Sequence, residues 1–115
     1  MKVKESNLQQ DCVKYFNYQY PKLADLYFAI PNGMWAKNIG TAIKQKKEGM
    51  KPGVLDTFLM YPSKEYHGLW IEFKVGNNKP TAHQKNFISN AITQGFKVEV
   101  VYNFDQFKQT IESYL

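Results

Sequence analysis

Arginine is absent from this chain, cysteine occurs once, and no long apolar run is present. The single cysteine, Cys12, excludes an internal disulfide and any zinc site built from several cysteines. No stretch approaches the roughly 18 consecutive apolar residues that a membrane-spanning helix requires. These absences lead us to expect a cytoplasmic protein that folds without a disulfide.

The lack of arginine also limits how the chain would recognise a nucleic acid. All 15 basic residues are lysines, and they outnumber the 10 acidic residues to give a net charge of +5. Lysine carries a point charge, whereas the planar fork of arginine suits bidentate contacts to guanine. We therefore expect any nucleic-acid binding to use mainly the phosphate backbone, with little reading of base sequence.

The lysines are concentrated in one segment, where Glu48 is the only acid. The members of this segment are Lys37, Lys44, Lys46, Lys47 and Lys51. One interpretation is a solvated, lysine-rich helix face. The other is a surface that contacts DNA phosphates, with Lys44, Lys46, Lys47 and Lys51 as its members.

The composition and the hydrophobic pattern predict a single α/β domain spanning residues 1–115. The chain is 43% hydrophobic and 16% aromatic, which is enough to build a core at this length. Leu8, Cys12 and Phe16 recur every four residues, as on one face of a helix. The whole pattern predicts helices near 4–18, 38–48, 81–94 and 103–115, and strands near 26–30, 54–61, 69–75 and 98–102. We expect one mixed β-sheet flanked by helices.

An acid and a base lie inside the apolar run 69–75. Because residues i and i+2 of a strand share a face, Glu72 and Lys74 point the same way. A second acid, Asp56, lies sixteen residues earlier in another predicted strand. Charged groups on buried strands are costly unless something holds them there. Two carboxylates on neighbouring strands suit a hard cation such as Mg²⁺, and the Phe73 carbonyl would add a third oxygen ligand.

Lys74 has two candidate roles beside such a metal. It would hold the attacking water, or it would stabilise negative charge on the transition-state phosphorane. The ordinary pKa of lysine, near 10.4, argues against a general base. We favour positioning and charge stabilisation.

The ordered set of motifs resembles the VRR-NUC branch of the PD-(D/E)XK nuclease superfamily. The matching segments are ESNLQ at 5–9, PNG at 31–33, GMKPGVLD at 49–56, IEFKV at 71–75 and KPTAHQ at 79–84. Two positions depart from the family pattern, because Leu55 precedes the aspartate where proline is usual and Pro80 stands where leucine is usual. Neither departure removes a ligand.

The resemblance implies a restriction-endonuclease-like fold and Mg²⁺- or Mn²⁺-dependent hydrolysis of DNA. It implies metal ligands at Asp56 and Glu72, a catalytic lysine at Lys74, an additional acid at Glu5 that is a possible ligand, and a polar residue at the site edge, Gln84. Small stand-alone proteins similar to this one are often phage-encoded and act as homodimers on branched DNA such as four-way junctions.

Several assignments keep a purely structural alternative. Glu5 is also explained as an acid favoured at a helix N-terminus, Gln84 as a capping-box residue after Thr81, and Asn32 as a turn residue rather than a DNA contact. The chain as a whole has alternatives too: a non-catalytic nucleic-acid-binding module with a vestigial site, or a nonspecific nickase or flap nuclease.

Overall fold

The computed structural model describes residues 3–31 and 38–115. Its helices are α1 (Val3–Gln19), α2 (Ile39–Lys47), α3 (Ala82–Thr93) and α4 (Phe104–Tyr114), and its strands are β1 (Tyr27–Ala29), β2 (Thr57–Leu59), β3 (Leu69–Phe73) and β4 (Lys97–Val101). A short 3-10 turn at Ala24–Leu26, which the sequence pattern did not predict, precedes β1. Within the described ranges, no helix has the length and apolar character needed to cross a membrane.

The four strands form one mixed sheet in the order β1-β2-β3-β4. Strands β1, β2 and β3 are antiparallel neighbours, whereas β3 and β4 are parallel. A parallel pair needs a crossover connection, and α3 supplies it between β3 and β4. The predicted α/β fold with a mixed sheet flanked by helices is therefore confirmed.

The hydrophobic core lies between one face of the sheet and the helices α1 and α4. Cys12 and Phe16 from α1 pack with Phe73 from β3 and with Phe107 and Ile111 from α4, and all five are fully buried. The predicted apolar stripe of α1 thus faces the core. This packing fixes the direction of α1, and with it the position of the acid at its start.

Aromatic side chains cover the opposite face of the sheet. The ring of Trp70 lies 4.4 Å from that of Phe58 on the neighbouring strand and 4.9 Å from that of Phe87 on α3. Side chains alternate along a strand, so Glu72 shares this face with Trp70. The acid therefore lies on the α3 side of the sheet rather than in the hydrophobic core formed with α1 and α4.

The first three strands are shorter than the sequence pattern indicated, and the shortening of β2 and β3 bears on the site. β2 begins at Thr57, one residue after Asp56, and β3 ends one residue before Lys74. The main-chain amide of Asp56 donates to the carboxylate of Glu72, so this amide does not take part in the strand ladder. The Lys74 amide still reaches the Val101 carbonyl at 3.0 Å, which keeps the lysine against β4.

Side chains cap the N-termini of both α3 and α4. Thr81 and Gln84 form a complete capping box at the start of α3. Asn103 caps α4 by accepting a hydrogen bond from the Gln106 amide. The Gln106 side chain accepts from the main-chain amide of Tyr102, the residue before the cap.

Candidate active site

Asp56 and Glu72 lie opposite each other on neighbouring segments of the sheet. Asp56 directly precedes β2, and Glu72 is the penultimate residue of β3. Thr57 pairs with Ile71, and continuing this antiparallel register by one residue pairs Asp56 with Glu72. The Asp56 amide donates to Glu72 Oε1 at 3.0 Å, and the Phe73 amide donates to Asp56 Oδ2 at 2.9 Å. Each carboxylate is thus held by a main-chain amide of the facing segment.

Glu72 is buried and Asp56 beside it is half-buried, and this desolvation changes the acidity of both carboxylates. Only 2% of Glu72 is exposed, and burial followed by the charge of Asp56 raises the pKa of Glu72 to about 7. Burial also raises the pKa of Asp56. Two like charges in a desolvated position disfavour full ionisation, so the pair is a place where a cation is favoured.

Lys74 faces the same pair. Its ammonium lies 3.4 Å from Glu72 Oε2, and the two side chains are 11% and 3% exposed. On the neighbouring strand, Lys97 and Glu99 have the same spacing and the same 3.4 Å distance, but their side chains are 40% and 38% exposed. The contrast separates an ordinary surface ion pair from one held in a desolvated site.

The side chain of Gln84 performs both of the roles that the sequence left as alternatives. Its Oε1 atom accepts from the Thr81 amide at 2.9 Å, completing the capping box. Its Nε2 atom donates to Glu72 Oε2 at 2.6 Å. Because the cap fixes the oxygen end of the amide, the nitrogen end is directed at the carboxylate. The start of α3 is thereby joined to the site.

Glu5 joins the site from α1. It is only 8% exposed, and its carboxylate accepts a hydrogen bond from Asn78 Nδ2 at 3.2 Å. The hydroxyl of Tyr102 in turn donates to the Asn78 carbonyl at 2.8 Å. The charge of Glu5 contributes, after burial, to the raised pKa of Asp56. Sequence reasoning missed Asn78 and Tyr102, because the segment after Lys74 carries only turn-forming residues as a signal.

A tight turn before Asp56 packs against the first turn of α3. Gly53 has a φ of +84°, and a Cβ atom there would lie 2.4 Å from the carbonyl carbon of His83. Only glycine permits both the conformation and this approach. The turn therefore holds the main chain that leads into Asp56 against the N-terminal end of α3, which also carries Gln84.

The donor set fits a hard divalent cation that keeps water and substrate oxygens as ligands. Across 3–31 and 38–115, no three histidine, cysteine, aspartate or glutamate side chains form a group that would hold a metal. Asp56 and Glu72 supply two carboxylates, and Mg²⁺ is commonly bound by one or two carboxylates together with waters and phosphate oxygens. Glu5 contributes its charge to this pair without forming such a three-membered group.

The lysines predicted to contact DNA lie on the surface of the protein. Lys44, Lys46 and Lys47 are exposed on α2, and Lys51 is exposed in the turn that follows. Both interpretations of these lysines stay open on exposure alone. Asn32 lies outside the described residues.

Comparison with known proteins identifies a relative by structure. A solved structure described as a VRR_NUC domain protein matches 100% of this chain and 90% of its own, with a TM-score of 0.84 and 27% sequence identity. No family model matches the chain, and no curated protein matches it. The chain therefore has the fold of a VRR_NUC domain.

Proposed function

We propose that this VRR_NUC-type fold is a metal-dependent DNA endonuclease that hydrolyses phosphodiester bonds with Mg²⁺ or Mn²⁺. The observation that carries the proposal is the pair formed by buried Glu72 and half-buried Asp56, with the Lys74 ammonium 3.4 Å from Glu72. A purely structural ion pair does not need a second, largely desolvated carboxylate beside it. The shared fold with a VRR_NUC domain protein supports the same assignment.

The residues that would hold the metal are the carboxylates of Asp56 and Glu72, with the carbonyl of Phe73 as a main-chain ligand. A bound divalent cation supplies Lewis-acid activation of the phosphoryl group and lowers the pKa of a bound water. The chain contributes the rigid placement of the two carboxylates. Main-chain amides hold one oxygen of each, and Gln84 holds the second oxygen of Glu72.

Lys74 is proposed to act on the water and on the transition state. Its ammonium donates hydrogen bonds from a position where water is largely excluded, and electrostatic interactions are stronger there than at the surface. Attack of a water oxygen on phosphorus breaks one P–O ester bond, leaving a phosphate on one product and a hydroxyl on the other. A fixed positive charge stabilises the additional negative charge that develops on the phosphoryl oxygens.

The proposed substrate is branched DNA, with a homodimer as the active form. A lysine-only basic surface favours phosphate contacts over base reading, so structure rather than sequence would select the target. One catalytic site cuts one strand, and a four-way junction requires two symmetric cuts, which a twofold dimer supplies. We propose an enzyme of the phage type that acts in the cytoplasm of a host cell.

The test is cleavage of a labelled four-way junction with Mg²⁺ or Mn²⁺ by the wild type, Asp56→Asn, Lys74→Ala and Lys97→Ala. We expect Asp56→Asn and Lys74→Ala to lower kcat by at least about a hundredfold, which is typical when transition-state stabilisation is removed. Lys97→Ala removes an equivalent but exposed ion pair and should retain wild-type cleavage.

The same experiment separates the alternatives. Equal cutting by all four proteins would indicate a contaminating nuclease and would refute the assignment. DNA binding without cleavage in either metal would identify a non-catalytic module. Comparison of junction, flap and plain duplex at one salt concentration would distinguish a junction enzyme from a nonspecific nickase or flap nuclease, since phosphate binding depends strongly on salt.

A further inference from the structure

We infer that Asn78 and Tyr102 form a positioning relay that holds the Glu5 carboxylate at the Asp56–Glu72 pair. This inference rests on the proposed nuclease function and assigns it two residues outside the sequence motifs. A glutamate side chain has several rotatable bonds, and it must lose that freedom to act from a fixed place.

The environment of Glu5 requires such a partner. The residue is 8% exposed, and the described ion pairs of the chain involve Glu72 with Lys74 and Glu99 with Lys97, not Glu5. A buried carboxylate without a cationic partner needs hydrogen-bond donors to be tolerated. Asn78 Nδ2 supplies one at 3.2 Å.

The orientation of the Asn78 amide follows from this contact. The Asn78 side chain presents its NH₂ group to Glu5, and the Glu5 carboxyl oxygen accepts the hydrogen bond. Asparagine has a short side chain, and its reach is therefore set by where the main chain of residue 78 lies. The main-chain N–H of Asn78 donates to the Val75 carbonyl at 3.1 Å. This hydrogen bond closes a tight turn directly after Lys74.

Tyr102 fixes that turn from the neighbouring strand. Its hydroxyl donates to the carbonyl of Asn78 at 2.8 Å, and Tyr102 directly follows β4. The turn thus has one hydrogen bond that closes it and one from the residue that follows β4. Lys74 before the turn and Gln84 after it both contact Glu72, so a displacement of the turn would disturb all three groups.

A matched set of variants tests the relay. Asn78→Ala removes the donor, and Asn77→Ala makes the same change at the adjacent, exposed asparagine. Tyr102→Phe removes only the hydroxyl, and Tyr18→Phe does so at a tyrosine that is 85% exposed. We expect about a tenfold fall in kcat for Asn78→Ala and about threefold for Tyr102→Phe, with the KM for DNA unchanged, as for groups that orient a site through another residue.

A second measurement needs no cleavage. In metal-free protein, the side-chain NH₂ signals of Asn78 in a ¹H–¹⁵N NMR spectrum should move on Glu5→Gln, and those of Asn77 should not. Thermal unfolding of each variant monitors folding, so that a fall in rate caused by unfolded protein is recognised.

The inference is overturned if Asn78→Ala cleaves DNA at the same rate as Asn77→Ala, or if Asn78→Ala changes only KM. It is also overturned if the side-chain NH₂ signals of Asn78 do not shift on Glu5→Gln. The failure of the nuclease proposal has a different signature. A wild type that cuts no DNA in Mg²⁺ or Mn²⁺ removes the catalytic role of the relay, while the amide signals still report the contact with Glu5.

Discussion

At the scale of single residues, the electrostatics of this site are dominated by the burial of Glu72 beside the half-buried Asp56. Glu72 is 2% exposed, and its contacts are hydrogen bonds from an amide and from Gln84, and the Lys74 ammonium. These contacts do not offset the combined effect of desolvation and the charge of Asp56, because the pKa of Glu72 is still raised to about 7. The metal-free site therefore carries an electrostatic cost at neutral pH.

That cost predicts a pH dependence of stability. The pKa of Glu72 is higher in the folded protein than in the unfolded chain. Protonated Glu72 therefore contributes its full stabilisation below the ordinary value of 4.5, and this contribution is lost as the pH rises through about 7. We expect the unfolding free energy of metal-free protein to fall over this range, by up to about 3 kcal/mol from Glu72. Urea unfolding between pH 4.5 and 8, after chelation, measures it.

Glu72→Gln is the control for this prediction, because it keeps the shape and removes the titrating group. Its unfolding free energy should vary less with pH than that of the wild type. Mg²⁺ added at pH 8 should stabilise the wild type and leave Glu72→Gln little changed, since a ligand that binds only the folded state raises stability. A wild type that becomes more stable from pH 5 to 7 would contradict the assignment of the slope to Glu72.

At the scale of elements, α3 is connected to the site at its first turn. The capping box fixes the oxygen end of the Gln84 amide on the Thr81 amide, and its nitrogen end meets Glu72. The same side chain thus stabilises a helix terminus and fixes a candidate ligand. A capping residue and a site residue are usually treated as alternatives, and here the two ends of one amide satisfy both.

Gln84→Glu separates the two functions of this side chain. Glutamate also serves at this position of a capping box, so the helix terminus should persist. The new carboxylate cannot donate to Glu72 and adds a like charge, so we expect cleavage to fall by at least about tenfold with the fold retained. Thr81→Ala is the complement: removal of the cap should cost about 1 kcal/mol of stability. Circular dichroism melting and junction cleavage of both variants provide the measurement.

The turn at Gly53 makes a second prediction at this scale. Gly53→Ala forces a Cβ atom to within 2.4 Å of the His83 carbonyl carbon, and the backbone there has a positive φ. Gly49→Ala has a comparable φ of +100° with no atom within 4 Å of the new Cβ. We expect Gly49→Ala to lower the free energy of unfolding by about 1 kcal/mol, from the strained conformation alone. Gly53→Ala should lower it by about 1–3 kcal/mol more, because the new Cβ also collides with α3.

Chemical denaturation of the two glycine variants, measured side by side, checks this difference. Equal destabilisation would mean that the turn moves away from α3 at little cost. Because the turn leads into Asp56, we also expect Gly53→Ala to lower the cleavage rate more than Gly49→Ala does.

At the scale of the whole molecule, the distribution of charge predicts how DNA would be bound. The net charge is +5, and lysine is the only residue type that supplies its positive charge at neutral pH. Lys46 and Lys47 are exposed at the end of α2. Removing one lysine that neutralises a phosphate should reduce the slope of log K against log salt by about 0.9. We expect the double variant Lys46→Ala and Lys47→Ala to lower both the affinity for DNA and this slope.

The control for the charge prediction is the double variant Lys14→Ala and Lys22→Ala, which removes the same charge at exposed positions outside the lysine segment. Fluorescence anisotropy over a range of salt concentrations measures both doubles. If the two variants weaken binding equally, the net charge and not the lysine segment governs affinity.

The sequence by itself determined the order of helices and strands, the mixed sheet and the pairing of Asp56 with Glu72 and Lys74. These features follow from local information: apolar periodicity defines each element, and alternation along a strand places residues 72 and 74 on one face. The start of β2 was harder to predict from the sequence. The main-chain amide of Asp56 donates to the Glu72 side chain instead of to the main chain of β3, so the pairing of β2 with β3 begins one residue later.

Only the tertiary structure decided which groups hold the site in place. Asn78 meets Glu5 across 73 positions of sequence, and Tyr102 meets Asn78 across 24. No local pattern specifies such contacts, because they exist only after α1 has packed on the core and β4 has paired with β3. The Gln84 contact with Glu72 has the same origin: the capping box is readable from the sequence, and the direction of its free amide nitrogen depends on where α3 lies over the sheet.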